Sequence, residues 1–220
     1  AGTTAGATTT SATIAATGTN KIQFATSDLA TIETLTVTGK GSVDLSGANL
    51  AALKTLTAAD GGVTVSATGA VLETVTTGAG ADTITASTSA LAATATINLG
   101  AGDDILTLAA TPAAGATLTA GDGTDTLAMA KANYATVAGY TTTNLAKITG
   151  FEVLSITDAL ASGDSIDVSK IAGITSFKAA AGITTGNTAT VSNLGVNSTV
   201  ELAGAAGNNG TLTANLKTDT

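Results

Sequence analysis

One turn returns three times in this chain, at the spacing of one coil. Thr77-Gly78-Ala79-Gly80-Ala81-Asp82-Thr83-Ile84, Leu99-Gly100-Ala101-Gly102-Asp103-Asp104-Ile105-Leu106 and Ala120-Gly121-Asp122-Gly123-Thr124-Asp125-Thr126-Leu127 each read x-G-x-G-x-D-x-(apolar), 22 and 21 residues apart. Paired glycines let the backbone turn tightly. The residues after each aspartate alternate apolar with threonine, the pattern of a strand with one face in a core. Two earlier segments join the series, so that strand–turn units have turns beginning at 39, 60, 78, 100 and 121. A period near 21 residues is one coil of a β-solenoid with two or three short strands. The fold predicted is all-β: a parallel β-helix or β-roll with coils of about 20 residues.

The core such a fold needs is unusual, and the composition suits it. Apolar residues make up 44% of the 220, yet only Phe24, Tyr134, Tyr140, Phe151 and Phe177 are aromatic. Packing falls to Ala, Val, Leu and Ile, with Thr and Gly between them. A narrow solenoid interior takes small and β-branched side chains.

Turns one coil apart lie on the same edge of the stack, about 4.8 Å from one another. Their glycine segments can aim carbonyl oxygens, and the aspartates add hard anionic oxygens. Calcium takes six to eight such oxygens from carboxylates and carbonyls together. The candidate ligand set is Gly78, Gly80 and Asp82; Gly100, Gly102, Asp103 and Asp104; and Gly121, Asp122, Gly123 and Asp125. Three turns leave two gaps in which an ion could bridge neighbours, so Asp104 should serve both.

Rival readings of these turns fit less well. Solvated aspartates in plain glycine turns would not require three copies in register. A dinucleotide loop wants a third glycine opening a helix, whereas an aspartate and a strand follow here. A phosphate cradle would not set acids beside the anion. The EF-hand run and its closing Glu are missing.

Charge points the same way. The formal net charge is -8, and Thr55–Ala130 holds seven acids and no base. Bound cations are attractive there, and nucleic acid or an anionic lipid surface is not an expected partner. All eight positive residues are Lys, with no His and no Cys. That excludes disulfides, thiolate metal sites, a Ser-His-Asp triad and His-ligated zinc. A carboxylate pair could still cut glycosidic bonds, but the clustered acids have a better account as metal ligands. The chain is read as a non-enzyme.

Residues 1–21 are expected to be a linker or a weak outer coil, 22–130 the solenoid with the calcium turns, 131–150 an excursion and 151–220 more solenoid. A short helical or 3₁₀ side is possible over Ala48–Leu56, where Leu50, Leu53 and Leu56 recur every third residue. After the excursion the sequence repeats itself. Ile32-Glu-Thr-Leu-Thr-Val-Thr matches Phe151-Glu-Val-Leu-Ser-Ile-Thr, and Ser42-Val-Asp-Leu-Ser matches Ser165-Ile-Asp-Val-Ser. Leu50, Leu53 and Leu56 match Ile171, Ile174 and Phe177. One architecture is expected to be used twice. The late turn at 204–210 carries Asn where an acid would stand. The segment from Ile156 to Ser169 resembles one found near calcium-binding β-roll turns, and a site using Asp158 and Asp164 is conceivable. A strand with exposed acids is the preferred reading there.

The run Thr77–Met129, followed by Gly150-Phe-Glu-Val-Leu-Ser-Ile, resembles the calcium-binding portion of RTX-type bacterial surface-layer proteins of the Caulobacter kind. Thr77, Leu99 and Ala120 replace the first glycine of that family's nonapeptide. The resemblance implies a secreted, extracellular structural protein that self-associates with Ca2+ into a two-dimensional lattice on the bacterial cell surface. Anchoring would run through regions outside this chain. The alternative it implies is an RTX module of a secreted adhesin or polysaccharide-acting enzyme.

Overall fold

Alternation of threonine with aliphatic residues becomes strand wherever it occurs. In Thr34–Thr38, Leu35 and Val37 are buried while the threonines face outward. The computed structural model describes residues 9–19, 21–24, 27–67, 71–86, 89–204 and 210–217. Such strands wind into a parallel β-solenoid. One side is a seven-stranded sheet: Ser11–Ala15, Thr34–Thr38, Thr55–Ala58, Thr74–Thr76, Thr96–Asn98, Thr117–Thr119 and Ile148–Thr149. A second side has nine strands: Ile22–Gln23, Val43–Leu45, Val63–Ser66, Thr83–Ala86, Ile105–Leu108, Thr126–Met129, Val153–Ile156, Ser176–Ala179 and Thr199–Leu202. Ser165–Asp167, Thr188–Leu194 and Thr211–Leu216 form a third sheet, and Ser27–Asp28 pairs with Ala48–Asn49. Ser11–Ala15 runs alongside Thr34–Thr38, so residues 11–15 already lie on the stack.

The core is built of ranks. Leu35, Leu56, Val75, Ile97, Leu118 and Ile148 stand in register, each buried. Val65, Ile84, Leu106, Leu127, Leu154 and Phe177 form the facing rank. Burying one such aliphatic side chain contributes about 1.5–3 kcal/mol. A rank gains that at every coil without needing large residues.

Ala48–Leu56 is not helical. Its three-residue spacing is a corner: the Leu53 N–H donates to the Leu50 carbonyl at 3.0 Å, and Leu50, Leu53 and Leu56 all turn into the core. Ile32 over Leu29 makes the same corner one coil earlier, also at 3.0 Å. A corner that points every third side chain inward imitates one face of a helix.

The excursion is helical and docked. α1 (Lys131–Ala138) and α2 (Thr142–Leu145) bridge the second sheet and the last strand of the first. Tyr134 and Val137 of α1 are buried. The Tyr134 hydroxyl donates to the Asp167 carbonyl at 2.7 Å and accepts from the Asp167 N–H at 2.9 Å. Tyr140 donates to the Pro112 carbonyl. Among the described residues no helix is long and apolar enough to cross a membrane.

The internal repeat is real in local structure but displaced by one side of the solenoid. Thr34–Thr38 lies in the first sheet, whereas its match Val153–Ile156 lies in the second. Val43–Leu45 lies in the second sheet and its match Ser165–Asp167 in the third. Local geometry is kept: Asp44 Oδ1 accepts from Ser46 N (3.0 Å) and Oγ (2.6 Å), and Asp167 Oδ1 from Ser169 N (3.1 Å) and Oγ (2.7 Å). Thr149 pairs with Thr119, and Val153 with Thr126, so the turn between them is three residues shorter after Thr149 than after Thr119.

Coils stack too closely at the glycine turns for any side chain. A Cβ on Gly121 (φ +117°) would lie 1.7 Å from the Gly100 carbonyl oxygen. Gly121→Ala should therefore cost roughly 3 kcal/mol or more. Gly163 has φ +87° but nothing within 4 Å of an added Cβ, so Gly163→Ala should cost only the left-handed penalty of about 1–2 kcal/mol. Urea unfolding of the two variants checks the difference.

Candidate metal centre

The three repeated aspartates land in one file. Register places Asp82 beside Val63, Asp104 beside Asp82, and Asp125 beside Asp104, immediately before paired strands. All three are fully buried. Their carboxylates form a one-way ladder. Asp82 Oδ1 accepts from the Val63 N–H at 2.6 Å, Asp104 Oδ1 from the Asp82 N–H at 2.7 Å, and Asp125 Oδ1 from the Asp104 N–H at 2.7 Å. Each acid thus caps the turn of the coil before it.

The ladder uses one oxygen per carboxylate. Oδ2 of Asp82, Asp104 and Asp125 is buried without a hydrogen-bond partner. A buried charge needs a counter-charge or a proton. None of the described ion pairs reaches the file. Five of the eight lysines pair elsewhere: Lys21 with Asp44, Lys54 with Glu33, Lys131 with Asp164, Lys170 with Asp167 and Lys178 with Glu201.

Acidity follows from this isolation. Burial pushes the Asp104 carboxyl up to about 7, against the relief from its Asp82 N–H, with Asp82, Asp125 and Asp103 adding repulsion. Burial likewise raises Asp82, opposed by the Val63 N–H. It raises Asp125 too, where Glu152, Asp103 and Asp122 add repulsion. The Thr77 hydroxyl beside Asp82 donates to the Leu99 carbonyl at 2.5 Å, so it leaves Oδ2 unpartnered.

The other residues of the set divide. Asp103 and Asp122 are exposed, outside the buried file. Asp103 Oδ1 accepts from the Thr124 N–H of the next turn at 2.8 Å. Asp122 bridges to Ala101 through its backbone. The carbonyls of Gly78 and Gly100 accept from Ala101 and Asp122 of the following coils. Gly80 and Gly102 sit where their carbonyl oxygens would meet a Cβ on Gly102 at 2.7 Å and on Gly123 at 2.0 Å. Stacking, as much as ligation, dictates these glycines.

One acid was missed in the sequence. Glu152 stands beside Asp125 in the next coil, and its Oε2 accepts from the Asp125 N–H at 2.9 Å. It makes the fourth rung of the ladder. The interval is 27 residues rather than 21 or 22, because the helical excursion intervenes, and no period search would join it to the series.

The acids of segment 156–169 are met by a cation from helix α1. Lys131 Nζ lies 2.8 Å from Asp164 Oδ2 and donates to the Ala159 carbonyl at 3.3 Å, while the Lys131 N–H donates to Asp158 Oδ1 at 2.7 Å. Asp158, Asp164 and Asp167 are half-buried rather than exposed. Burial works against ionisation of Asp164, but Lys131 and the Ala161 N–H outweigh it and hold the carboxyl below its ordinary range. The Asn-rich turn at 204–210 lies largely outside the described residues.

The file differs from a compact metal cage. Among the described residues no group of three or more acids converges on one ion position. An ion here would take oxygens from two neighbouring turns. The unpartnered buried Oδ2 atoms fit such a hard cation, since anionic oxygen is what a divalent ion of this class selects. Compared with known proteins, the chain matches no family model, no curated protein and no solved structure.

Proposed function

We propose that this chain is a structural module of a secreted surface-layer lattice, in which calcium staples the coils together along the acid file. One observation carries the metal half of this reading: three fully buried carboxylates in register, each with one oxygen on a backbone N–H and one without a partner. Calcium accepts carboxylates and carbonyls in irregular numbers, which suits turns whose outer acids differ from coil to coil. Magnesium demands a tighter octahedron and serves poorly. Asp82, Asp104 and Asp125 hold the ions in this account, with carbonyls of the glycine turns. The lattice half rests on the resemblance of Thr77–Met129 and on the open strand ladders of a stack, which native proteins either cover or use.

Calorimetric titration tests the metal. Calcium should bind the chain, with magnesium far weaker, and Asp104→Ala should lose more affinity than Asp219→Ala. Equal loss in the two variants rejects the file as the site. Light scattering and electron microscopy of the longest available form test the lattice: dispersed in chelator, sheets when calcium returns. A calcium-loaded protein that stays monomeric at high concentration favours the adhesin or enzyme module instead.

A further inference from the structure

Glu152 belongs to the file by position, yet its turn is unlike the others. The internal repeat shows what is special about it. Its counterpart in the first copy is Glu33, and the two have the same backbone setting. The Glu33 carbonyl accepts from Lys54 and Thr55, and the Glu152 carbonyl from Thr175 and Ser176. Glu33 is neutralised by Lys54 of the following coil at 3.2 Å. At the equivalent place after Glu152 stands Thr175, exposed and uncharged.

The phase shift described above therefore moves a glutamate from a lysine-paired edge onto an acid file. On its other side lies Asp125, whose Oδ1 is committed to Asp104 and whose buried Oδ2 has no partner. Foremost among the charges that burden Asp125 is Glu152 itself. The two carboxylates stand on successive rungs of the file, and among the described ion pairs none involves either. At the opposite end the file stops on Val63, which offers neither charge nor ligand. The two ends are not equivalent: only at the Glu152 end does an acid occupy the next rung position.

We infer that Glu152 and Asp125 frame a third divalent-cation site, beyond the two gaps among Asp82, Asp104 and Asp125. This rests on the calcium reading above and extends it to a residue outside the repeated motif. The turn 150–152 lacks the second glycine and is three residues short, so this gap has fewer carbonyl donors than the other two. The third ion should bind more weakly, by about tenfold or more, and last.

Titration of the 220-residue chain with calcium chloride is the test, run on wild type, Glu152→Gln and Thr175→Lys. Glutamine keeps an acceptor for the Asp125 N–H but removes the charge. Lysine at the exposed position 175 recreates the pairing that Lys54 gives Glu33. Wild type should take up three ions and each variant two, the weak phase being the one lost. Melting in chelator should not fall in Glu152→Gln, which separates lost ligation from lost structure. Three ions in either variant, or only two in wild type, overturns the inference while leaving the calcium reading intact. A wild-type chain that takes up no calcium overturns both.

Discussion

Freed of divalent cations, the protein should grow more stable as the pH falls from about 7 to about 4, the reverse of ordinary acid denaturation. The buried aspartates set the sign. Asp82, Asp104 and Asp125 have folded values raised above the usual carboxylate range, Asp104 to about 7. Between the unfolded value of 3.8 and that folded value, the native state holds more protons than the unfolded chain. Their contribution is fully present below the unfolded value and is lost as the pH rises through the folded one. For Asp104 alone the shift corresponds to roughly 4 kcal/mol, on the order of 10 °C in melting temperature for a chain this size. The lowered acids act in the opposite sense and further down. Asp44, brought to about 2 by its Ser46 hydrogen bonds and by Lys21, loses its contribution only as the pH falls below the usual carboxylate value. Stability in chelator should peak near pH 4. Saturating calcium should invert the slope, because the ions compete with protons for the same oxygens. At about 100 times its dissociation constant, calcium adds roughly 2.7 kcal/mol per independent site. Thermal melts across this pH range, with EGTA and with calcium, measure both slopes. Parallel curves in the two conditions would remove the acid file from the metal account.

Asp104→Asn should change the sign of its effect with the metal. Asparagine is close to isosteric and keeps the oxygen that accepts from the Asp82 N–H at 2.7 Å. It removes a buried charge flanked by two others. In chelator at about pH 7.5 the variant should melt higher than wild type, by several degrees, since the charge it deletes is poorly solvated and unpaired. In calcium it should melt lower, because a ligand shared by two gaps is gone. A variant that destabilises equally with and without calcium would mark Asp104 as a hydrogen-bonding rung only. Asp103→Asn is the control. Asp103 is exposed and tied to Thr124 N–H, so its replacement should change either melt by about 0.5 kcal/mol or less.

Both results turn on which features are local and which are not. The solenoid and the positions of three rungs were legible in the sequence, because a stacked coil repeats its own constraint. Thr34-Leu35-Thr36 announces a strand wherever it falls. Glycine-to-aspartate spacing recurs because each turn must match the one beneath it, so closely that a Cβ added at Gly121 would lie 1.7 Å from the Gly100 oxygen. Patterns of that kind need no partner to be read. The corner at Leu50–Leu56 shows the limit even there, since a three-residue spacing suits a helix and a solenoid corner alike.

Tertiary structure alone decided the rest. Glu152 joins the file through strand pairing across a 27-residue interval that contains two helices, and no spacing rule reaches over an insertion of that kind. α1 itself carries a weak pattern and is held by Tyr134 and Val137 packed on the solenoid, a contact made 33 residues away in the chain. Lys131 cancels Asp164 for the same reason, while its sequence neighbours suggest no acid. Composition located an acidic region, but not the division of its members. Asp82, Asp104 and Asp125 turn inward and lose water, whereas Asp103 and Asp122 stay in it. Asp82, Asp104 and Asp125 stand where each turn enters its strand and Asp103 and Asp122 in the outer turn, and the stacking of the coils made that placement a difference in burial.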